Sequence, residues 1–386
     1  MINYDIEKHN DEFNLFSELR NKGMQPRIMM SVACNPRMVL MNQSLNIKNV
    51  TFEQYFGDPA VMLEIQCRFQ EYTLNNLVWD KYMGVNDTTK YYIYADFQNI
   101  LEPAWFGCPV AYNGINEPST YHLLNDENKY GIIKKGYIEP FSGLMQKSLE
   151  YAEFFTAKQK EGYTWNNVPV YANNTFGLGT DGPMTLACSM RGATEFCTDL
   201  YEDTGYALDL LDYITENSIN RIKTLRKHFG HPELSDMMGI ADDSIALLSA
   251  SDYIKFILPF HKKLVSSLTT QKAPNFVHLC GDASRHFKTI RDELCVNGFD
   301  TGFPVSHGKL VRELGESVMI HGGVHVNILL NGSENDVRKE TKRILDEVLP
   351  CRNFVIKEAN NLSPCTPPEN LVAMYETVKQ YGNFCE

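Results

Sequence analysis

The residue types best suited to chemistry are concentrated in Phe276-Val277-His278-Leu279-Cys280-Gly281-Asp282. Asn275 to Cys280 is short and apolar, and Gly281-Asp282 breaks it, so it reads as a buried strand that ends on polar groups. His278 and Cys280 are two residues apart, and in a strand such residues point to the same side. An imidazole and a thiol so placed can chelate one soft or borderline metal ion such as zinc. They are also compatible with a thiol beside a base, or with core residues, because buried cysteine is a common small apolar filler. Two ligands do not complete a metal site, and further donors must come from elsewhere in the chain.

The positioning elements follow from periodicity. Strands are expected at Arg27 to Val32 and near 91–95, 168–172, 237–240, 275–280, 299–303, 317–320 and 354–357. Amphipathic helices lie between most of them. Thr204 to His228 places Tyr206, Leu210, Leu211, Ile214, Ile219, Ile222 and Leu225 on one broad face. Glu334 to Val348 does the same with Val337, Thr341, Ile344, Leu345 and Val348, behind an N-cap at Ser333. Eight strand–helix repeats predict an α/β fold, a (β/α)₈ barrel, with an open doubly wound sheet as the alternative. No GxGxxG follows a strand, which disfavours dinucleotide binding. Residues 1–26 and roughly 44–90 read as a helical cap. The whole chain, 1–386, reads as one barrel domain in which 1–90 supplies the helical segment and the first strand.

In such barrels the C-terminal ends of the strands carry the chemistry. Asp96, Gln98 and Asn99 end the second strand, and Asn173-Asn174 the third, ahead of Gly177-Leu178-Gly179-Thr180-Asp181-Gly182-Pro183. Asp242-Asp243-Ser244 end the fourth, His321-Gly322-Gly323-Val324-His325 the seventh and Glu358-Ala359-Asn360-Asn361 the eighth. Singly these are ordinary helix caps and turn residues, and Gly322-Gly323 is compatible with a tight turn. Together they suit a metal or a polar small molecule. The Gly177–Gly182 run lacks the lysine of a phosphate loop.

The chain is 43% hydrophobic and 22% charged, with net charge −12, which disfavours nucleic acid or an anionic membrane as a main partner. The start lacks the basic and apolar regions of an export signal, and no apolar stretch is long enough to span a bilayer. Its ten cysteines show no CxxC pairing and read as reduced thiols in a cytoplasmic protein.

These stretches resemble the uroporphyrinogen decarboxylase superfamily from about Phe52 to Gly382. The resemblance is carried by Gly182-Pro183-Met184-Thr185-Leu186-Ala187-Cys188, Phe256 to Lys262, Val277 to Asp282, Gly323 to Gly332 and Ser363 to Leu371. It implies a (β/α)₈ barrel, and it leans toward the corrinoid-dependent methyltransferases within the superfamily. The decarboxylases' arginine-bearing N-terminal segment is matched by Ser31-Val32-Ala33-Cys34-Asn35-Pro36-Arg37, with one arginine, whereas an acidic tetrapyrrole needs several bidentate basic partners. Their catalytic aspartate is matched by Asp96, but Ser189 stands where they have tyrosine and Asn360 where they have a late histidine.

His278 and Cys280 resemble the first two zinc ligands of the methylcobamide:thiol methyltransferases, while Asn360 occupies the position of their third, a cysteine. The resemblance therefore implies zinc held by His278 and Cys280 with an oxygen from Glu358, Asp242 or Asp96. The implied reaction moves a methyl group from a small donor, such as a methoxylated aromatic, to cobalamin carried by a partner corrinoid protein. Zinc or an acid among Asp96, Asp242 and Asp243 would activate the leaving group. Asn173, Phe176, His325 and Asn360 are the expected substrate contacts, with Phe97, Trp105 and Phe303 as further aromatic candidates. The alternative is a decarboxylase-type tetrapyrrole enzyme, or a non-catalytic tetrapyrrole-binding relative.

Overall fold

A computed structural model describes residues 25–82, 89–349 and 351–384, together with Asn14 and Glu18. Most of the expected N-terminal helical segment, 1–24, lies outside the described residues.

Eight parallel strands alternate with helices. They are β1 (Met29–Val32), β2 (Tyr91–Ile93), β3 (Val168–Ala172), β4 (Gly239–Ala241), β5 (Asn275–Leu279), β6 (Val296–Thr301), β7 (Met319–His325) and β8 (Phe354–Ala359). One arc of hydrogen-bonded neighbours runs β1-β8-β7-β6-β5-β4, and a second pairs β2 with β3. This is the neighbour order of a (β/α)₈ barrel. Among the described residues the arcs do not close into one hydrogen-bonded ring. Ala241 N donates to Thr180 O at 3.2 Å, tying β4 to the segment that follows β3. All six residues of β8 are buried, as expected of a strand covered on both faces.

Helices Thr204–His228 and Glu334–Val348 form at the expected bounds. Their expected apolar faces are buried, and Ser333 closes a capping box with Asp336. Several bounds differ. The expected strand at 299–303 starts earlier, at Val296, because Cys295 adopts φ 52° and turns the chain directly into it. Among its described residues, the expected helical stretch 44–90 is helical only at Phe52–Gly57 and Pro59–Asn76, where Thr51 and Asp58 supply the caps, and Lys81–Tyr82 pairs with β1 as a short strand. Gly322 and Gly323 are not a turn. Both lie within β7, where a Cβ on Gly322 would collide with Thr301 and His307 and one on Gly323 with the backbone of Lys357. An antiparallel hairpin, Val110–Asn113/Asn116–Thr120, lies between β2 and β3 in the chain. The nine described cysteines are free, and no helix among the described residues is long and apolar enough to cross a membrane.

One core side chain makes stability depend on pH. His307 is 4% exposed, packs against Phe354, and has no hydrogen-bond partner among the described residues on either ring nitrogen. Burial, aided by the Arg343 charge, holds its pKa down at about 4. The unfolded chain takes up a proton near pH 6.5 while the folded chain does not until about pH 4. The stabilisation is therefore complete above pH 6.5 and is lost as pH falls from 6.5 to 4. The loss amounts to about 3 kcal/mol at 1.36 kcal/mol per unit. In urea titrations at pH 7 and 4.5, His307→Leu should lose less stability than the parent, whereas equal losses would contradict the assignment.

Candidate metal centre and its cavity

Strand register brings the chemical groups together. In the parallel β4–β5 pair Ala241 lies opposite His278, and in the β5–β6 pair Asp300 lies opposite His278. Two residues beyond the first pairing, Asp243 meets Cys280: Cys280 N donates to Asp243 Oδ1 at 2.6 Å. His278 Nε2 is 3.0 Å from Cys280 Sγ and 4.0 Å from Asp243 Oδ1. One ligand atom from each of Asp243, His278 and Cys280 lies within 4.8 Å of the others, and all three groups are half-buried. Asp243, expected from the sequence as an acid, thus joins the possible metal ligands. The signal for the ligand role is its i+2 relation to Ala241, which copies that of Cys280 to His278.

Behind the cluster runs a buried chain of charges. The His278 Nδ1–H donates to Asp300 Oδ2 at 2.8 Å, leaving Nε2 as the atom that could reach a metal. Asp300 Oδ1 accepts from Lys357 Nζ at 2.8 Å, and Lys357 Nζ stands 3.5 Å from Glu358 Oε1. Burial opposes charge on His278, but the hydrogen bonds and charges of Asp300 and Cys280 outweigh it and push its pKa up to about 10. Asp300 goes the other way: burial raises its pKa, and His278 and Lys357 bring it below the ordinary range. Metal binding at His278 must therefore displace a proton. Asp300 and Lys357 were not foreseen, because neither lies past a strand end. Asp300→Asn removes the charge that orients His278. Metal affinity should fall by roughly 10–100-fold in chelator competition, the usual cost of losing such a partner, and unchanged affinity would contradict this role.

The other expected groups sit as follows. Glu358 is buried outside the three-residue cluster; its Oε1 accepts from Ala33 N at 2.9 Å and its Oε2 has no hydrogen-bond partner among the described residues. Burial raises its pKa to about 8, against the pull of Lys357. Asp242 is buried and fully engaged. It accepts from Met184 N at 3.1 Å, Thr185 N at 2.7 Å and Thr185 Oγ1 at 2.8 Å, which anchors the N-terminus of helix Pro183–Arg191, and it meets His261 Nε2 at 2.8 Å. Asp96 accepts from Tyr55 OH at 2.8 Å and Gln98 N at 3.2 Å; burial raises its pKa, and Tyr55, Gln98 and Arg37 offset part of this. His325 caps helix Val326–Asn331 through Nδ1 and stacks on Phe303 with ring centroids 3.7 Å apart. Phe97 packs on Phe56 and Tyr151, Phe176 on Phe229, and Trp105 on Phe106. Asn173 N donates to Ile93 O, and Asn360 turns the chain at φ 85°.

A cavity of about 360 Å³ adjoins the cluster. His278, Phe276, Ile240, Ala241, Gln98, Glu102 and Asp181 are among the residues that line it. Glu102 pairs with the fully buried Arg221 at 2.5 Å, and Asp181 N donates to Glu102 Oε2 at 2.5 Å. Among the described residues, no lysine or arginine lines it.

The family model for uroporphyrinogen decarboxylase (URO-D) matches residues 171–381, more than half of the chain. The chain belongs to the URO-D family. The matched segment holds Asp181, Asp242, Asp243, His278, Cys280, Asp300 and Glu358, while Asp96 lies before it.

Relatives of this URO-D family chain carry two activities. A uroporphyrinogen decarboxylase of Geobacter metallireducens is 28% identical over 204 residues, 51% of this chain and 57% of the relative. A methylcobamide:CoM methyltransferase, MtbA, of Methanosarcina acetivorans is 25% identical over 202 residues, 52% of this chain and 56% of the relative. The match thus spans little more than half of each curated relative. A solved methyltransferase from Methanosarcina mazei superposes with TM-score 0.63 at 19% identity, covering 95% of this chain and 97% of that one, and so shares its fold.

Proposed function

We propose that this URO-D family chain transfers a methyl group from a small donor to the reduced corrinoid of a partner protein. The observation that carries the reading is the convergence of Asp243, His278 and Cys280, with His278 fixed on Asp300, beside a cavity whose described lining holds no lysine or arginine. A thiolate, an imidazole with its other nitrogen engaged, and a carboxylate are donors that suit zinc. In that role Asp243, His278 and Cys280 hold the ion, and a bound ion supplies Lewis acidity toward the donor's leaving atom. Asp300 sets the imidazole's orientation, and Asp242 holds the Gly182–Thr185 turn against the Asp243 segment through Thr185, whose Oγ1 accepts from Ser244 N at 3.0 Å. A methoxylated aromatic is the donor class favoured by the sequence resemblance.

The decarboxylase reading rests on Asp96, which is buried with a raised pKa. A tetrapyrrole bearing many carboxylates needs basic partners, and the cavity offers Glu102 and Asp181 instead. The two readings separate in one experiment. The protein is incubated with free cob(I)alamin and a panel of O-methyl and N-methyl donors, and separately with uroporphyrinogen. Methylation of the corrin without loss of carbon dioxide from uroporphyrinogen is expected, and decarboxylation without methyl transfer would overturn the reading.

A further inference from the structure

We infer that Asp181 is the proton donor to the leaving oxygen of an O-methyl donor, an inference that rests on the methyl-transfer reading above. Asp181 lines the same cavity as His278, and its carboxyl has no hydrogen-bond partner among the described residues, whereas those of Asp242 and Asp96 are engaged. Its backbone is held on both sides. Asp181 N donates to Glu102 Oε2, Thr180 O accepts from Ala241 N, and Gly182 at φ 81° turns the chain into helix Pro183–Arg191. A Cβ at Gly182 would collide with Asp242, so the turn packs directly on that side chain. The result is a carboxyl on a fixed support, in the lining of the same cavity as His278, a metal-ligand candidate.

The charges facing it favour the acid form. Burial acts first, then Glu102; Arg221 offsets them in part, and Asp243 and Asp242 add to them, which pushes the pKa up to about 7. An acid poised there suits general catalysis near neutral pH. Zinc on one thiolate, one carboxylate and a neutral imidazole adds no net charge nearby.

The step balances. The reduced corrinoid, as methyl acceptor, supplies the electron pair of the new bond to the methyl carbon. The carbon–oxygen bond breaks, its electron pair passes to oxygen, and that oxygen takes the proton of Asp181. Cobalt is formally oxidised by two electrons, and Asp181 recovers its proton from water. A quaternary ammonium donor would leave as a neutral amine and need no acid, so the residue points to O-methyl substrates.

The test compares the parent and Asp181→Asn with free cob(I)alamin and two aryl methyl ethers, anisole-type and 4-nitrophenyl. General acid catalysis is typically worth about 10²–10⁴-fold. Asp181→Asn should lose on that order with the unactivated ether and far less with the nitrophenyl ether, whose leaving group needs no proton. Normal turnover of the activated donor also establishes that the variant is folded, and Asp181→Glu should restore part of the rate. Infrared difference spectra between parent and variant should contain a protonated-carboxyl band that fades as pH rises through about 7. Equal loss on both ethers, or no loss on either, overturns the role of Asp181 while leaving methyl transfer in place. No transfer by the parent from any donor removes the methyl-transfer reading itself, and this inference with it.

Discussion

Replacing His278 or Cys280 by alanine should strip the protein of its metal and cut methyl transfer by at least about 10³-fold. The two residues act on one ion, so the double variant should be little worse than either single one. Lewis-acid activation of a leaving group is worth several kcal/mol of barrier, and each 1.36 kcal/mol is tenfold in rate. The loss should appear in kcat rather than KM, because the ion acts on charge that develops as the bond breaks. Cys280→Ala should change stability little, since the thiol is half-buried just past β5, whereas His278→Ala also removes a partner of the buried Asp300 and should cost stability as well. Elemental analysis of each variant beside its steady-state rate with cob(I)alamin checks this. Full activity in a metal-free variant would contradict it.

Asp242→Ala should produce the largest loss of stability at a strand end, roughly 3–5 kcal/mol, the usual cost of breaking a buried charged network by removing one member. The carboxylate accepts two backbone N–H groups at the start of helix Pro183–Arg191, one hydroxyl and one imidazole N–H, and its side chain is 1% exposed. Truncation orphans those donors and leaves His261 tied only to Tyr253 OH at 3.1 Å. The urea midpoint should fall with m unchanged. A near-neutral result would mean that Asp242 is an exchangeable cap, and would reopen its case as a catalytic acid.

Much of this architecture was legible because periodicity reports burial. Helix Thr204–His228 formed at the expected residues because its apolar spacing matches a single face. The HxC pair was legible because strand alternation fixes which side each residue faces. What alternation cannot supply is the neighbour across the sheet. Asp300 sits inside β6 and Lys357 inside β8, and only the register that sets Asp300 opposite His278 makes them partners of the imidazole. Glu102 and Arg221 were hidden for a related reason: their pairing joins helices more than a hundred residues apart in the chain. Gly322-Gly323 misled because close strand packing and a turn select the same residue, one with no Cβ. The aromatic candidates Phe97, Phe176 and Trp105 proved to be packed on other rings, a use of aromatic residues that composition cannot distinguish from ligand contact.

The most direct test of the metal centre is X-ray absorption at the zinc edge on purified, zinc-replete protein. Ligation by Asp243, His278 and Cys280 predicts one sulfur at about 2.3 Å and a nitrogen/oxygen shell near 2.0–2.1 Å, with the sulfur lost in Cys280→Ser. A protein that retains no zinc, or one whose zinc has several sulfur ligands or none, would contradict the account.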